Sequence, residues 1–78
     1  MNVDIRIREM LAEHLEVDDE EVVDSAFLAD DFDADPYDLE QLAAILSEEF
    51  DIEVTEDDIE SWETVGDVIQ MVIDRLED

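Results

Sequence analysis

The chain has 78 residues, of which 28 are acidic and three basic, Arg6, Arg8 and Arg75, giving a formal charge of −25. Phosphate contacts require a basic surface, so direct nucleic-acid binding is excluded, and the partners such a surface favours are cations or basic patches on other proteins. At 46% hydrophobic the chain still carries enough regularly spaced apolar side chains to fold as one small domain over 1–78, which separates it from an acidic disordered tail.

A domain of this length buries only about 60–65% of the surface its unfolded chain exposes, so its core has to be economical. There is no cysteine, which removes disulfides, thiol catalysis and thiolate metal sites. No apolar run approaches the length of a signal-peptide core or a membrane span, and a soluble, monomeric, cytoplasmic protein is expected. Adaptation to a saline cytosol and attraction of basic partners are both sources for the excess of acid, and both stay open at this point.

Val3, Ile7, Met10, Leu11 and Leu15 recur at helical spacing over the first sixteen positions, with His14 on the same side. From Val17 to Asp35 acids dominate and no stripe persists. Val22, Val23, Phe27, Leu28 and Phe32 offer scattered anchors, and the segment reads as a long loop with at most one short turn of helix. A second helix is predicted over Pro36–Phe50, with Leu39, Leu42, Ala43, Leu46 and Phe50 on one face. Its start is strongly marked: Asp35 caps the free amides, proline suits the first helical position, and Asp38 completes an acidic first turn. Ile52 and Val54 lie on one side of a short link, Thr55 and Asp58 form a capping box for a short helix through Ile59 and Trp62, and Thr64 with Asp67 repeats the device. Val65, Val68, Ile69, Val72 and Leu76 give the last helix its stripe, and Arg75 near its end suits the dipole. The fold expected is all-α, a four-helix bundle with three longer helices, one short helix and a long first loop.

Asp31, Asp33 and Asp35 alternate like the opening of a calcium loop. Such a loop then needs glycine at its sixth position, an apolar residue at the eighth and glutamate at the twelfth, where this chain has Pro36, Asp38 and Leu42. The three aspartates, with Asp30, are left as candidates for weak divalent binding, and a cation-responsive acidic domain is one functional class. His14 is the only histidine and makes no zinc site alone. Ser25, Ser47 and Ser61 have no histidine placed by a triad motif, Gly66 is the only glycine so no phosphate-cradling loop exists, and an enzyme is not expected. The outer face of the second helix, with Tyr37, Glu40, Gln41, Ala44, Ser47 and Glu48, mixes acids with small and aromatic groups and is a candidate partner-binding face. Ile45 lies off the core stripe, as a partner contact or the edge of the core.

The segment FLADDFDADPYDLEQLAAILSEEFDIEVTEDDIESWETVGDVIQMV, Phe27 to Val72, resembles the acyl carrier proteins. The family shows an acidic Asp-Ser-Leu at the start of its second helix, a Glu-Glu-Phe close, here Glu48, Glu49 and Phe50, and a threonine-capped last helix. The resemblance implies a four-helix bundle whose second helix docks on basic patches of carrier-dependent enzymes, as in fatty-acid biosynthesis, and whose core can shelter an acyl chain. In that family the motif serine receives 4′-phosphopantetheine, whose thiol carries the acyl group. The matching residue here is Pro36, which has no nucleophile. Tyr37 beside it has only a phenolic hydroxyl displaced along the helix, Asp33 replaces a small residue, and FLADD carries one extra residue. The resemblance, so modified, implies a carrier-like domain working by protein contact through Asp35, Tyr37, Asp38, Glu40, Gln41, Ala44 and Glu48. No cofactor is expected, and 4′-phosphopantetheine enters only if Pro36 stands in for a natural serine. A working carrier of fatty-acid or polyketide-type synthesis with its serine replaced is the alternative.

Overall fold

The computed structural model describes residues 2–77; Met1 and Asp78, the two ends of the domain expected over 1–78, lie outside the described residues. Among the described residues five α-helices are observed: α1 (Val3–Leu15), α2 (Leu28–Phe32), α3 (Pro36–Phe50), α4 (Glu56–Ser61) and α5 (Val65–Glu77). The three long helices and the short α4 fall where the sequence places them. The difference lies in the first connection, where a 3₁₀ turn at Asp19–Glu21 and the five-residue α2 interrupt the expected loop.

The reason is tertiary. An isolated helix of five residues is not stable in water, but Leu28 is 1% exposed and its N–H donates to the Glu63 carbonyl at 2.9 Å, while Val65 N–H donates to Ala26 at 3.0 Å. These bonds make a short antiparallel bridge between Phe27 and Thr64 that fastens the connection to the head of α5. Asp31 caps α2 by accepting from Phe27 N–H. Gly66 is required nearby for closeness rather than for φ: its N–H donates to Asp24 O at 3.0 Å, and a Cβ would meet that oxygen at 3.2 Å.

Helix ends follow the predicted caps. In α3 Asp35 accepts from Asp38 N–H at 2.9 Å and Asp38 accepts from Asp35 N–H at 3.1 Å, with Pro36 at the first helical position. Thr55 and Asp58 form the same box for α4. Ahead of α5, Asp67 accepts from the N–H groups of Glu63 and Thr64. Those bonds hold the Asp67 carboxyl below the usual carboxylate range; for Asp58 the Thr55 N–H does so first, followed by the Thr55 hydroxyl and Arg75. Glu16, Asp33 and Asp51 end α1, α2 and α3 in the left-handed region at φ 58°, 55° and 55°, a conformation that suits glycine best.

One core joins all the helices. Ile7 and Leu11 from α1, Leu28 from α2, Leu42 and Leu46 from α3, and Val65, Val68 and Val72 from α5 are fully enclosed. Val22 joins them, whereas three expected apolar anchors sit outside: Val23, Phe27 and Leu76 are 48%, 46% and 41% exposed. Leu76 lies in the last described turn of α5, past the point where a neighbour covers the stripe. Trp62 is buried among the helices, yet its indole N–H finds no acceptor. The radius of gyration, 11.2 Å, matches the ~11.5 Å of an ordinary folded chain of this size.

All three arginines act as clamps. Arg8 binds Asp4 on its own helix, Asp24 and the Val22 carbonyl, tying α1 to the first connection. Arg6 forms a two-point pair with Glu49 at 3.1 and 3.2 Å, tying α1 to α3. Arg75 donates to Asp58 at 2.7 Å and to the Glu53 carbonyl, tying α5 to α4.

Candidate functional site: the first turn and outer face of helix α3

Helix α3 is positioned on three sides. Its apolar stripe is held in the core, its C-terminal end by Arg6, and its first turn by His14, whose Nε2 lies 3.2 Å from the Asp38 carbonyl. A carbonyl only accepts, so His14 donates from Nε2, and the histidine serves here as a strut between α1 and α3.

Outward from this frame, Tyr37 is 65% exposed, and Glu40, Gln41, Ala44 and Glu48 are exposed along the same helix. Asp38 differs from the other candidates. Its side chain is half-buried and closes the capping box, and its carbonyl takes the His14 bond. Asp35 is exposed but already caps Asp38 N–H. Ile45 is half-buried at the edge of the core and lines a cleft with α1.

The aspartates first seen as a calcium loop have separate duties. Asp31 holds Phe27 N–H, Asp33 ends α2 in the left-handed conformation, and Asp35 begins α3. Among the described residues no three carboxylates or imidazoles are brought together as metal ligands. Several hydroxyls are similarly committed: Ser47 donates to the Ile52 carbonyl at 2.6 Å, Ser61 to Asp58 O at 2.7 Å, and Thr55 and Thr64 cap helices, while Ser25 is exposed. At the head of α3 stands Pro36, exposed and without a hydroxyl; the nearest hydroxyl in sequence is the Tyr37 phenol.

Comparison with known proteins settles the family. The phosphopantetheine attachment site family matches residues 6–72. An acyl carrier protein of Phenylobacterium zucineum (strain HLK1) is 41% identical over 71 residues, spanning 91% of this chain and 90% of the relative. The chain belongs to the acyl carrier protein family. An acyl carrier protein of Caulobacter vibrioides (strain NA1000 / CB15N) is 39% identical over 70 residues, covering 90% of each chain. Among solved structures, a Mycobacterium tuberculosis protein named as an acyl carrier protein (Rv0033) superposes with a TM-score of 0.85 at 30% identity, covering 92% of this chain and 96% of that one. The thermally stable acyl carrier protein of Enterococcus faecalis follows at 0.80 and 25%, covering 94% and 92%. The family's members are carriers rather than catalysts, and its prosthetic group is phosphopantetheine. Among the described residues no helix is long and apolar enough to cross a membrane.

Proposed function

We propose that this acyl-carrier-family domain, one folding unit over 1–78, works by docking on carrier-dependent enzymes and carries no acyl thioester. The observation behind this is Pro36: at the head of a well-capped α3, where the family's serine would stand, the chain has a ring with no oxygen. The residues present do not fit covalent attachment of phosphopantetheine. Tyr37 offers a phenol, and no base is hydrogen-bonded to it among the described residues.

What remains is a rigid acidic helix. Tyr37, Glu40, Gln41, Ala44 and Glu48 form the docking face, with Asp35 and Asp38 at its head, and basic patches on the partner supply the complement. Long-range attraction from a chain of charge −25 raises the encounter rate and is screened by salt. Such a domain competes with serine-bearing carriers or serves as a regulatory subunit in acyl-chain synthesis in the cytoplasm, as a monomer.

Two measurements test it. Incubation with coenzyme A and a promiscuous phosphopantetheinyl transferase is expected to leave the intact mass unchanged; a gain mapped to 27–50 would sink the docking-only reading. The chain is also expected to slow modification of a serine-bearing acyl carrier protein by the same transferase, and reversal of Glu40 and Glu48 to lysine to abolish that competition. The 41% identity to an acyl carrier protein favours a second reading, a working carrier in which Pro36 has replaced the serine; 4′-phosphopantetheine then belongs to the unsubstituted chain alone.

A further inference from the structure

A cleft of about 680 Å³ runs between α1 and α3, beside the docking face and sharing Glu48 with it. Arg6, near the start of α1, meets Glu49 near the end of α3, and His14, near the end of α1, meets Asp38 near the start of α3, so the two helices run antiparallel. Along α1 the cleft takes Arg6, Met10, Glu13 and His14, and along α3 Ile45, Glu48 and Glu49. These positions recur at three- and four-residue intervals, the spacing of one face on each helix.

The floor is apolar: Met10 is buried and Ile45 half-buried. The Arg6–Glu49 pair stands at one end and His14, on the Asp38 carbonyl, at the other. The sides are acidic, with Glu13 and Glu48 both exposed and neither in an ion pair among the described residues. Arg6 is within electrostatic reach of Glu13, but its guanidinium is bonded to Glu49. The cleft therefore keeps two carboxylates that have no ion-pair partner among the described residues. Among the described residues three metal ligands do not meet there, and a cation on an aliphatic stem can cover the apolar floor while its head reaches the acidic rim. Arginine and lysine have that shape, since their stems pack on apolar surface while the charged head stays at the rim. Methionine on the floor adapts to varied aliphatic neighbours.

We propose that the α1–α3 cleft receives a partner segment bearing an arginine or lysine beside an aliphatic side chain, the aliphatic carbons lying on Met10 and Ile45 and the cation between Glu13 and Glu48. This rests on the docking reading and extends it from α3 to α1. An anionic occupant is repelled by the rim, and a purely apolar one leaves both carboxylates unpaired.

The test is an NMR titration of the whole chain with the blocked peptide acetyl-Leu-Arg-Leu-amide, following the Met10 and Ile45 methyl groups. Saturable shifts centred on these two residues are expected, and Glu13→Gln weakens binding about two- to fivefold, as for an exposed ion pair. Asp57→Asn, an equal loss of charge on α4, leaves it unchanged. Three results would overturn the proposal: equal binding of acetyl-Leu-Gln-Leu-amide, shifts spread evenly over the acidic surface, or methyl shifts that move with protein concentration alone, which would make a second copy the occupant. Failure of the transferase competition with the peptide still seated in the cleft removes only the α3 reading. Intact competition with a Glu13→Gln variant that binds the peptide normally removes only this extension.

Discussion

Replacing Pro36 by serine bears most directly on what this protein does. Proline at the first helical position gives up no intrahelical bond, because that N–H has no partner in any helix. Its contribution is to the unfolded chain, whose freedom it restricts by about 0.4–1 kcal/mol. The cap itself is untouched, since Asp35 and Asp38 make their reciprocal bonds at 2.9 and 3.1 Å without any Pro36 atom. Pro36→Ser should therefore lower the thermal midpoint by roughly 2–8 °C for a domain of this size, with the helical circular dichroism unchanged. The folded variant is expected to gain a single phosphopantetheine from coenzyme A and the transferase, while the parent chain gains none. A midpoint drop beyond about 15 °C would mean that Pro36 does more than start α3, and refute the helix-start argument. A folded Pro36→Ser variant that stays unmodified would show that the loss of the oxygen is not the sole barrier, and direct attention to Asp33 and the extra residue before it.

Glu16 ends α1 at φ 58°, so Glu16→Gly is expected to stabilise the fold by about 0.5–1 kcal/mol, whereas Glu16→Gln, which removes the same charge without relieving the backbone, gains less. Chemical denaturation of the pair separates strain from charge, and equal gains would refute the strain argument. Trp62→Phe deletes an N–H that has no acceptor and should cost under about 1 kcal/mol, against about 3–5 kcal/mol for Trp62→Ala. A costly Trp62→Phe would reveal a partner for the indole. The carboxyls of Asp58 and Asp67 lie below their usual range, so the unfolded chain binds protons there first as pH falls. Their contribution is complete above about pH 4 and is lost as pH falls further through the folded values; Asp67→Asn should flatten that acid limb in a pH series of melts. With three arginines against 28 acids, sodium chloride should raise the midpoint, and calcium at matched ionic strength should add no saturable rise, because the aspartates of the first connection do not converge. A saturating calcium effect would revive the cation-responsive reading.

Helices α1, α3, α4 and α5 could be read from the chain because each carries its own signals: a stripe at three- and four-residue spacing and a cap written in adjacent residues. The Asp35–Pro36–Asp38 start of α3 depends on nothing distant. Helix α2 had no such stripe, and its five residues depend on the distant bond from Leu28 N–H to the Glu63 carbonyl and on burial of Leu28. The docking candidates on α3 follow from the same stripe, since residues off the apolar face of a helix must face outward. Asp38 departs from this because His14, twenty-four residues earlier, reaches its carbonyl.

The sequence by itself therefore determined the helical class, the start of α3 and the absence of a hydroxyl at its head, because periodicity, capping and side-chain chemistry are local properties. Tertiary structure alone decided which carboxylates are free. Asp24, Glu49 and Asp58 are bound by arginines of other elements, whereas Glu13 and Glu48 are left facing one cleft. That division turns on where α1 crosses α3, a matter of core packing between residues some forty positions apart, and no spacing within either helix records it.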